Sequence, residues 1–148
     1  MLFRSALLIE RGRLEDARQL LREGLALNPR NVQFVIVLAR IQAERRDYAS
    51  ALDTLGAAQS AGQGNAEFHS LMATVLQRLS RHAEAAEAYR AAAGAAPQSG
   101  TNWVGLGISL EAMQRRQEAG EAFRRAIATG TLTAELKGYA EDRVRALR

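Results

Sequence analysis

Residues 103–123 read WVGLGISLEAMQRRQEAGEAF, and this stretch decides the fold. Trp103, Leu106 and Leu110 stand at i, i+3 and i+7, the spacing of one helical stripe. Gly107 follows Leu106, and after a short polar break Ala119, Phe123 and Ala126 set out a second stripe. Gly107 and Ala119 are small enough for two antiparallel helices to approach closely, so the stretch predicts a helix hairpin. One hairpin leaves an apolar face uncovered and requires a neighbour stacked upon it.

The neighbours recur at a fixed step of 34 residues. From Ala119 that step leads back to Ala85, Ala51 and Ala17, and from Phe123 to Tyr89, Leu55 and Leu21. From Ala126 it leads to Ala92, Ala58 and Gly24, and from Gly107 to Ala73, Ala39 and Ser5. The Leu106 column holds Met72 and Leu38 and then fails at Arg4. Columns that keep a residue size class through four copies are not a product of chance. The period, with Trp103, Leu106, Gly107, Ala119 and Phe123 in their places, resembles the tetratricopeptide repeat family, whose signature carries Tyr where this chain has Leu110. The resemblance implies an all-α, right-handed superhelical solenoid of about four hairpins plus a capping helix, forming a non-catalytic scaffold for protein partners.

Composition agrees with an all-α chain. Of 148 residues, 47% are hydrophobic and 24% charged, with only two prolines, so helix propensity is high almost throughout and strand signals are nearly absent. The lack of cysteine removes disulfides, thiolate zinc sites and cysteine nucleophiles, and fits both a reducing cytoplasm and a periplasm. No apolar run reaches the roughly 18 to 20 residues of a membrane span, and no signal peptide is visible. The net charge of +4 comes almost wholly from arginine, since Lys137 is the only lysine. Most arginines are interleaved with acids, as in Glu84, Glu87, Arg90, and read as a solvated face. The exception is the cluster of Arg124, Arg125, Arg143, Arg145 and Arg148, which offers an alternative function as a polyanion or nucleic-acid binder.

Along the chain the reading is a single domain over residues 1–148, with repeats at about 1–30, 31–64, 65–98 and 99–131 and a capping helix at about 133–147. Residues 2–11 form a short first helix and 14–27 its partner, ended by Asn28 and Pro29. The second repeat runs to Gly62, turns near Arg46 and Asp47, and starts its second helix at Tyr48. Gln63, Gly64 and Asn65 bridge to the third repeat, with helices at 66–79 and 82–95, and Pro97 lies two periods after Pro29. In the tail, Thr133 is the cap of a helix bearing Leu136, Tyr139, Ala140, Val144 and Leu147, which covers the open end of the fourth repeat. The first helix is clipped, which suggests a fragment of a longer protein or a self-association module pairing through that helix.

Catalysis finds little support. His69 and His82 both sit on repeat positions, 34 residues from Trp103 and Tyr48, and read as packing residues rather than metal ligands or bases. His69 and Ser70 point about 100° apart on a helix, a poor start for a nucleophile and its base. Gly62-Gln63-Gly64 and Gly105-Leu106-Gly107 follow no strand and lack the lysine of a phosphate loop. No catalytic, cofactor-binding or metal set is assigned.

The resemblance implies a groove lined by the first helices of successive repeats. Its positions carry over to Leu2, Ala6, Ile9 and Glu10 in the first repeat and to Gln33, Ile36, Arg40, Ala43 and Glu44 in the second. The third gives Glu67, Ser70, Thr74, Gln77 and Arg78, and the fourth Thr101, Val104, Ile108, Glu111 and Ala112. Ile9, Ile36, Val104 and Ile108 are expected as apolar floor. Relatives that clamp a C-terminal carboxylate use Lys and Asn in two of these columns, which here read Ile36, Ser70, Val104 and Arg40, Thr74, Ile108. The implied partner is therefore an amphipathic helix or an extended apolar segment.

Residues 103–147 also resemble the C-terminal end of repeat proteins of MSHA-type and related type IV pilus biogenesis systems, in the WVGLGISLE helix and the following Leu, Tyr, Arg, Leu ladder. That resemblance implies a bacterial protein displayed in the periplasm from a membrane-anchored parent and working in pilus or secretion assembly. Without it, a cytoplasmic scaffold is the expectation.

Overall fold

The structure, a computed structural model, describes residues 1–148 and contains nine helices and no strand. They are α1 Leu2–Glu10, α2 Leu14–Leu27, α3 Val32–Glu44, α4 Tyr48–Ala57, α5 Ala66–Arg78, α6 His82–Ala95, α7 Gly100–Ala112, α8 Arg116–Ala128 and α9 Ala134–Ala146. None is long and apolar enough to cross a membrane. The chain forms two compact units, Met1–Gln63 and Gly64–Arg148.

Each hairpin is made by the same local chemistry. Gly12, Arg46, Ser80 and Gln114, 34 residues apart, have φ of 70°, 61°, 58° and 60°. This left-handed residue ends the first helix. It lets the following N–H reach back to the last turn, as in Arg13 to Leu8 (2.8 Å), Asp47 to Gln42, Arg81 to Leu76 and Arg115 to Leu110 (2.9 Å each). Only the first copy uses glycine, the residue that adopts this conformation without penalty. Asn31, Asn65 and Thr133 cap the next first helices by accepting from the N–H groups of Phe34, Phe68 and Leu136. Ser99, in the same column, turns its hydroxyl to Thr101 instead. Thr133 is therefore the cap on which the 34-residue lattice continues, and α9 takes the place of a fifth first helix.

Second helices open on an arginine paired to an acid three residues on: Arg13 with Asp16, Arg81 with Glu84 and Arg115 with Glu118, at 2.6, 2.6 and 2.7 Å. Asp47 replaces the pair with a cap on the Ser50 N–H, and hydrogen bonding from the Ser50 hydroxyl, then from that N–H, holds its carboxyl below the ordinary range. Such exposed pairs contribute little alone. Their acids complement the positive end of the helix dipole.

The first unit packs α1, α2 and α3 around Ala17, Leu21, Phe34, Leu38 and Ile41, and α4, with Ala51 and Leu55 buried, lies against α3. In the second unit α5 to α9 pack in sequence around Phe68, Tyr89, Leu110 and Phe123. The small residues at the hairpin contacts make room for rings as well as for backbones. A Cβ on Gly107 would lie 2.7 Å from the Phe123 ring, and one on Gly105 would overlap the Tyr89 ring. Trp103, expected on the buried stripe, stands half-exposed at its edge, donating its indole N–H to the Pro97 carbonyl (2.9 Å) with Arg125 5.0 Å above its ring.

Two elements depart from even spacing. The helix α4 has 10 residues against 14 in α2 and α6, and residues 58–64 form turns where Gly62 was the expected end of the repeat. Gly56, Gly62 and Gly64 lower helix propensity there, and Gln63 stands where α2 and α6 are followed by proline. At the other end α9 packs on α8, with Ala140 fully buried and Tyr139 edge-on to Phe123 at 6.0 Å.

Two substitutions of opposite sign test this construction. Gly107→Ala should lower stability by about 1–3 kcal/mol in a chemical melt, because the Phe123 ring has no room to yield. Ser80→Gly should raise it by roughly 0.5–1 kcal/mol, the left-handed strain relieved less the entropy glycine gives up.

Candidate functional site

Part of the expected groove set lines a separate hollow in each unit, while Glu10, Gln33, Ile36, Ala43, Glu67 and Arg78 line neither. In the first unit Leu2, Ser5, Ala6 and Ile9 of α1 face Val37, Arg40, Ile41 and Glu44 of α3 across a space of about 340 Å³. Its lining is aliphatic, with Arg40 and Glu44 exposed at the rim. Leu2 and Ala6 are exposed and Ile9 half-buried, so an apolar side chain could enter without moving the helices.

In the second unit Ser70, Thr74, Gln77, Thr101, Val104 and Ile108 line a hollow of about 240 Å³, together with Tyr89, Asn102, Gly105 and Leu136. Here hydrogen bonds knit α5, α6 and α7. The Ser70 hydroxyl donates to Asn102 Oδ1 at 2.8 Å. The Gln77 amide donates to the Gly105 carbonyl at 3.1 Å and to Ser109 Oγ at 2.8 Å. The Thr74 hydroxyl donates to the Ser70 carbonyl at 2.9 Å, so its 3.2 Å contact with Tyr89 has the phenol as donor. Burial pushes the Tyr89 phenol above its ordinary pKa, with the Thr74 hydrogen bond and Arg78 pulling the other way.

The tail helix α9 adds to this wall. Leu136 borders the hollow, and Tyr139 and Arg143 close a second depression with Ile108, Glu111 and Ala112. Arg143 and Glu111 form an ion pair that raises the guanidinium pKa. Ile108, Glu111 and Gln77 are half-buried, while Gln33, Glu44, Glu67, Thr74, Arg78 and Thr101 are exposed.

Two expected floor residues lie inside the protein. Ile36 is 1% exposed and borders neither hollow, and Val104 is 4% exposed, reaching its hollow only as floor. The cause is that α3 and α7 each have helices on both sides and bury residues around most of their circumference, so an apolar wall position on them becomes core. Sequence reasoning also missed Asn102 and Ser109, at 4% and 0% exposure. Their signal was two polar residues in the otherwise apolar stretch of residues 102–110.

The other candidates resolve into structural roles. Of the five C-terminal arginines, Arg143 binds Glu111, Arg145 binds Asp142 and Arg125 covers Trp103. His69 is half-buried, edge-on to Phe68 at 5.7 Å, and burial lowers its pKa.

Comparison with known proteins places this geometry. Two family models described as tetratricopeptide repeat match residues 8–75 and 70–132. A point mutant of MamA is 26% identical, with a TM-score of 0.76 over 86% of this chain and 74% of that one. A crystal structure of MamA matches 97% of this chain and 91% of its own at a TM-score of 0.82 and 16% identity, a likeness of fold alone. So is that to the Sgt2 TPR domain from Aspergillus fumigatus, with a TM-score of 0.69, 23% identity and 76% of each chain covered. No curated protein matches.

Alkaline titration tests the buried phenol. The unfolded tyrosine ionises near 10.0 and the folded Tyr89 at a higher pH, so the native state keeps its proton longer and stability falls as pH rises above 10. Tyr89→Phe should cost about 1 kcal/mol at neutral pH and flatten the alkaline decline measured by thermal melting.

Proposed function

We propose that this chain, which belongs to the tetratricopeptide repeat family, is a non-catalytic scaffold that holds a partner polypeptide against the hollows lined by its first helices. The observation that carries this reading is the convergence of residues from neighbouring repeats, Leu2, Ala6, Ile9 with Arg40 and Ser70, Thr74 with Thr101, Ile108, onto two open recesses. Aliphatic lining in the first favours an apolar anchor residue, whose burial at about 25 cal/mol per Å² supplies the affinity. Charged neighbours at its rim would fix the direction of the bound chain.

The partner is an amphipathic helix or extended segment. A place in pilus or secretion assembly, with a periplasmic location, rests on the resemblance of residues 103–147 to pilus biogenesis proteins. A polyanion reading is weakened by the pairing of Arg143 and Arg145 with acids.

Self-association has its own observation. Phe3 and Leu27 are 81% and 80% exposed at one end of the first hairpin, with Met1 and Leu7 beside them in the sequence of α1 and its start. That face would pair two copies.

Peptides selected from a random display library on the intact protein test the main reading. Ile9→Ala and Ile108→Glu, both at half-buried positions, should each remove binding of a subset of those peptides, with circular dichroism and thermal melts establishing that each variant is folded. Peptides that ignore both changes would overturn it. Light scattering tests the second reading, a mass near twice 16.1 kDa that returns to 16.1 kDa in Phe3→Glu being the expected result.

A further inference from the structure

The second hollow has an unusual balance of donors and acceptors. No charged side chain lines it. The protons of Ser70 and Thr74 are committed to Asn102 Oδ1 and the Ser70 carbonyl, and both Gln77 amide protons are committed to Gly105 and Ser109. The Tyr89 proton serves Thr74 or Gln77 Oε1, 3.2 and 3.4 Å away. One donor remains. Asn102 is only 4% exposed and accepts at Oδ1, yet its amide nitrogen has no hydrogen-bond partner and is not sealed from solvent. A buried amide left half-satisfied costs free energy unless a partner group completes it.

From this balance we infer that the second hollow is a subsite for a neutral carboxamide, the side chain of a glutamine or asparagine in the bound segment. This rests on the groove reading above and names what that groove selects at Asn102. A carboxamide carbonyl accepts from the Asn102 amide, while its own N–H pair finds the lone pairs of Ser70 Oγ and Thr74 Oγ1. The methylene stem lies on Val104, Ile108 and Leu136. If the Asn102 amide is turned over, it donates to Ser70 and presents a carbonyl, and a carboxamide complements that arrangement equally. A carboxylate or an ammonium would meet no charged side chain in the lining, with Arg78 acting on it only from outside, so desolvation works against either. A purely aliphatic side chain would leave the Asn102 amide unpaired.

The test uses isotope-labelled full chain and three blocked amino acids of one backbone, N-acetyl N′-methylamides of glutamine, glutamate and norleucine, followed by amide chemical shifts. Glutamine should move the signals of Asn102, Thr74 and Ile108, with an affinity at least tenfold above the other two. Asn102→Asp and Asn102→Ala should each lose that tenfold preference, with thermal melts establishing that the variants are folded. The comparison of probes on the unaltered protein stands even if a variant unfolds. Equal responses to glutamine and norleucine, or a preference surviving in folded Asn102→Ala, would overturn the carboxamide subsite. If library peptides still depend on Ile9 and Ile108 in that event, the groove reading holds and only the subsite falls.

Discussion

The seating of an aromatic ring on a glycine is the contact from which the second unit follows. Phe123 fills the space beside Gly107, within one hairpin, and Tyr89 fills that beside Gly105, between one hairpin and the next. Each contact fixes both the separation and the rotation of the two helices, since any side chain on the glycine meets the ring and any smaller residue opposite leaves a void. The same arrangement recurs in the first unit, where Phe34 lies against Gly24. Within each unit, helices held so close turn their remaining faces in a constant direction, and the wall residues of its two first helices border one hollow as a result.

Helix boundaries were legible because their punctuation is local. Pro29 and Pro97, the polar turns near residues 46 and 80 and the cap at Thr133 act through backbone geometry and need no knowledge of distant neighbours. The left-handed turns were harder, for Arg46, Ser80 and Gln114 carry no glycine to announce them. What betrays them is position, one period apart from Gly12. The continuation of the lattice into α9 was also present in the sequence, in the step from Ser99 to Thr133, although the columns of small residues stop there. Division of the chain at Gln63 and Gly64 left only a faint sign, the substitution of glutamine for proline and the glycines around it.

Site residues were legible as a set of positions and not as a surface. Ile36 and Ile108 occupy equivalent kinds of wall position, yet the first is core and the second is accessible. Periodicity cannot separate them on helices that are apolar around most of their circumference. The hydrogen bonds among Ser70, Asn102, Gln77 and Ser109 join residues 28 to 32 apart and depend on two helices lying side by side, so no local pattern foretells them. They also show why the two hollows differ. Aliphatic residues in the first unit give way to amides and hydroxyls in the second, at matching places in the repeat.

Tyr89 belongs to two things at once. Its ring is the spacer between the third and fourth repeats, and its hydroxyl lies within the wall beside Thr74 and Gln77. A guest that draws on those oxygens therefore pulls on the same residue that keeps the repeats at their distance. Occupancy and mechanical stiffness become one quantity in this half of the molecule: whatever is held there also braces the joint, and whatever loosens the joint spoils the hold.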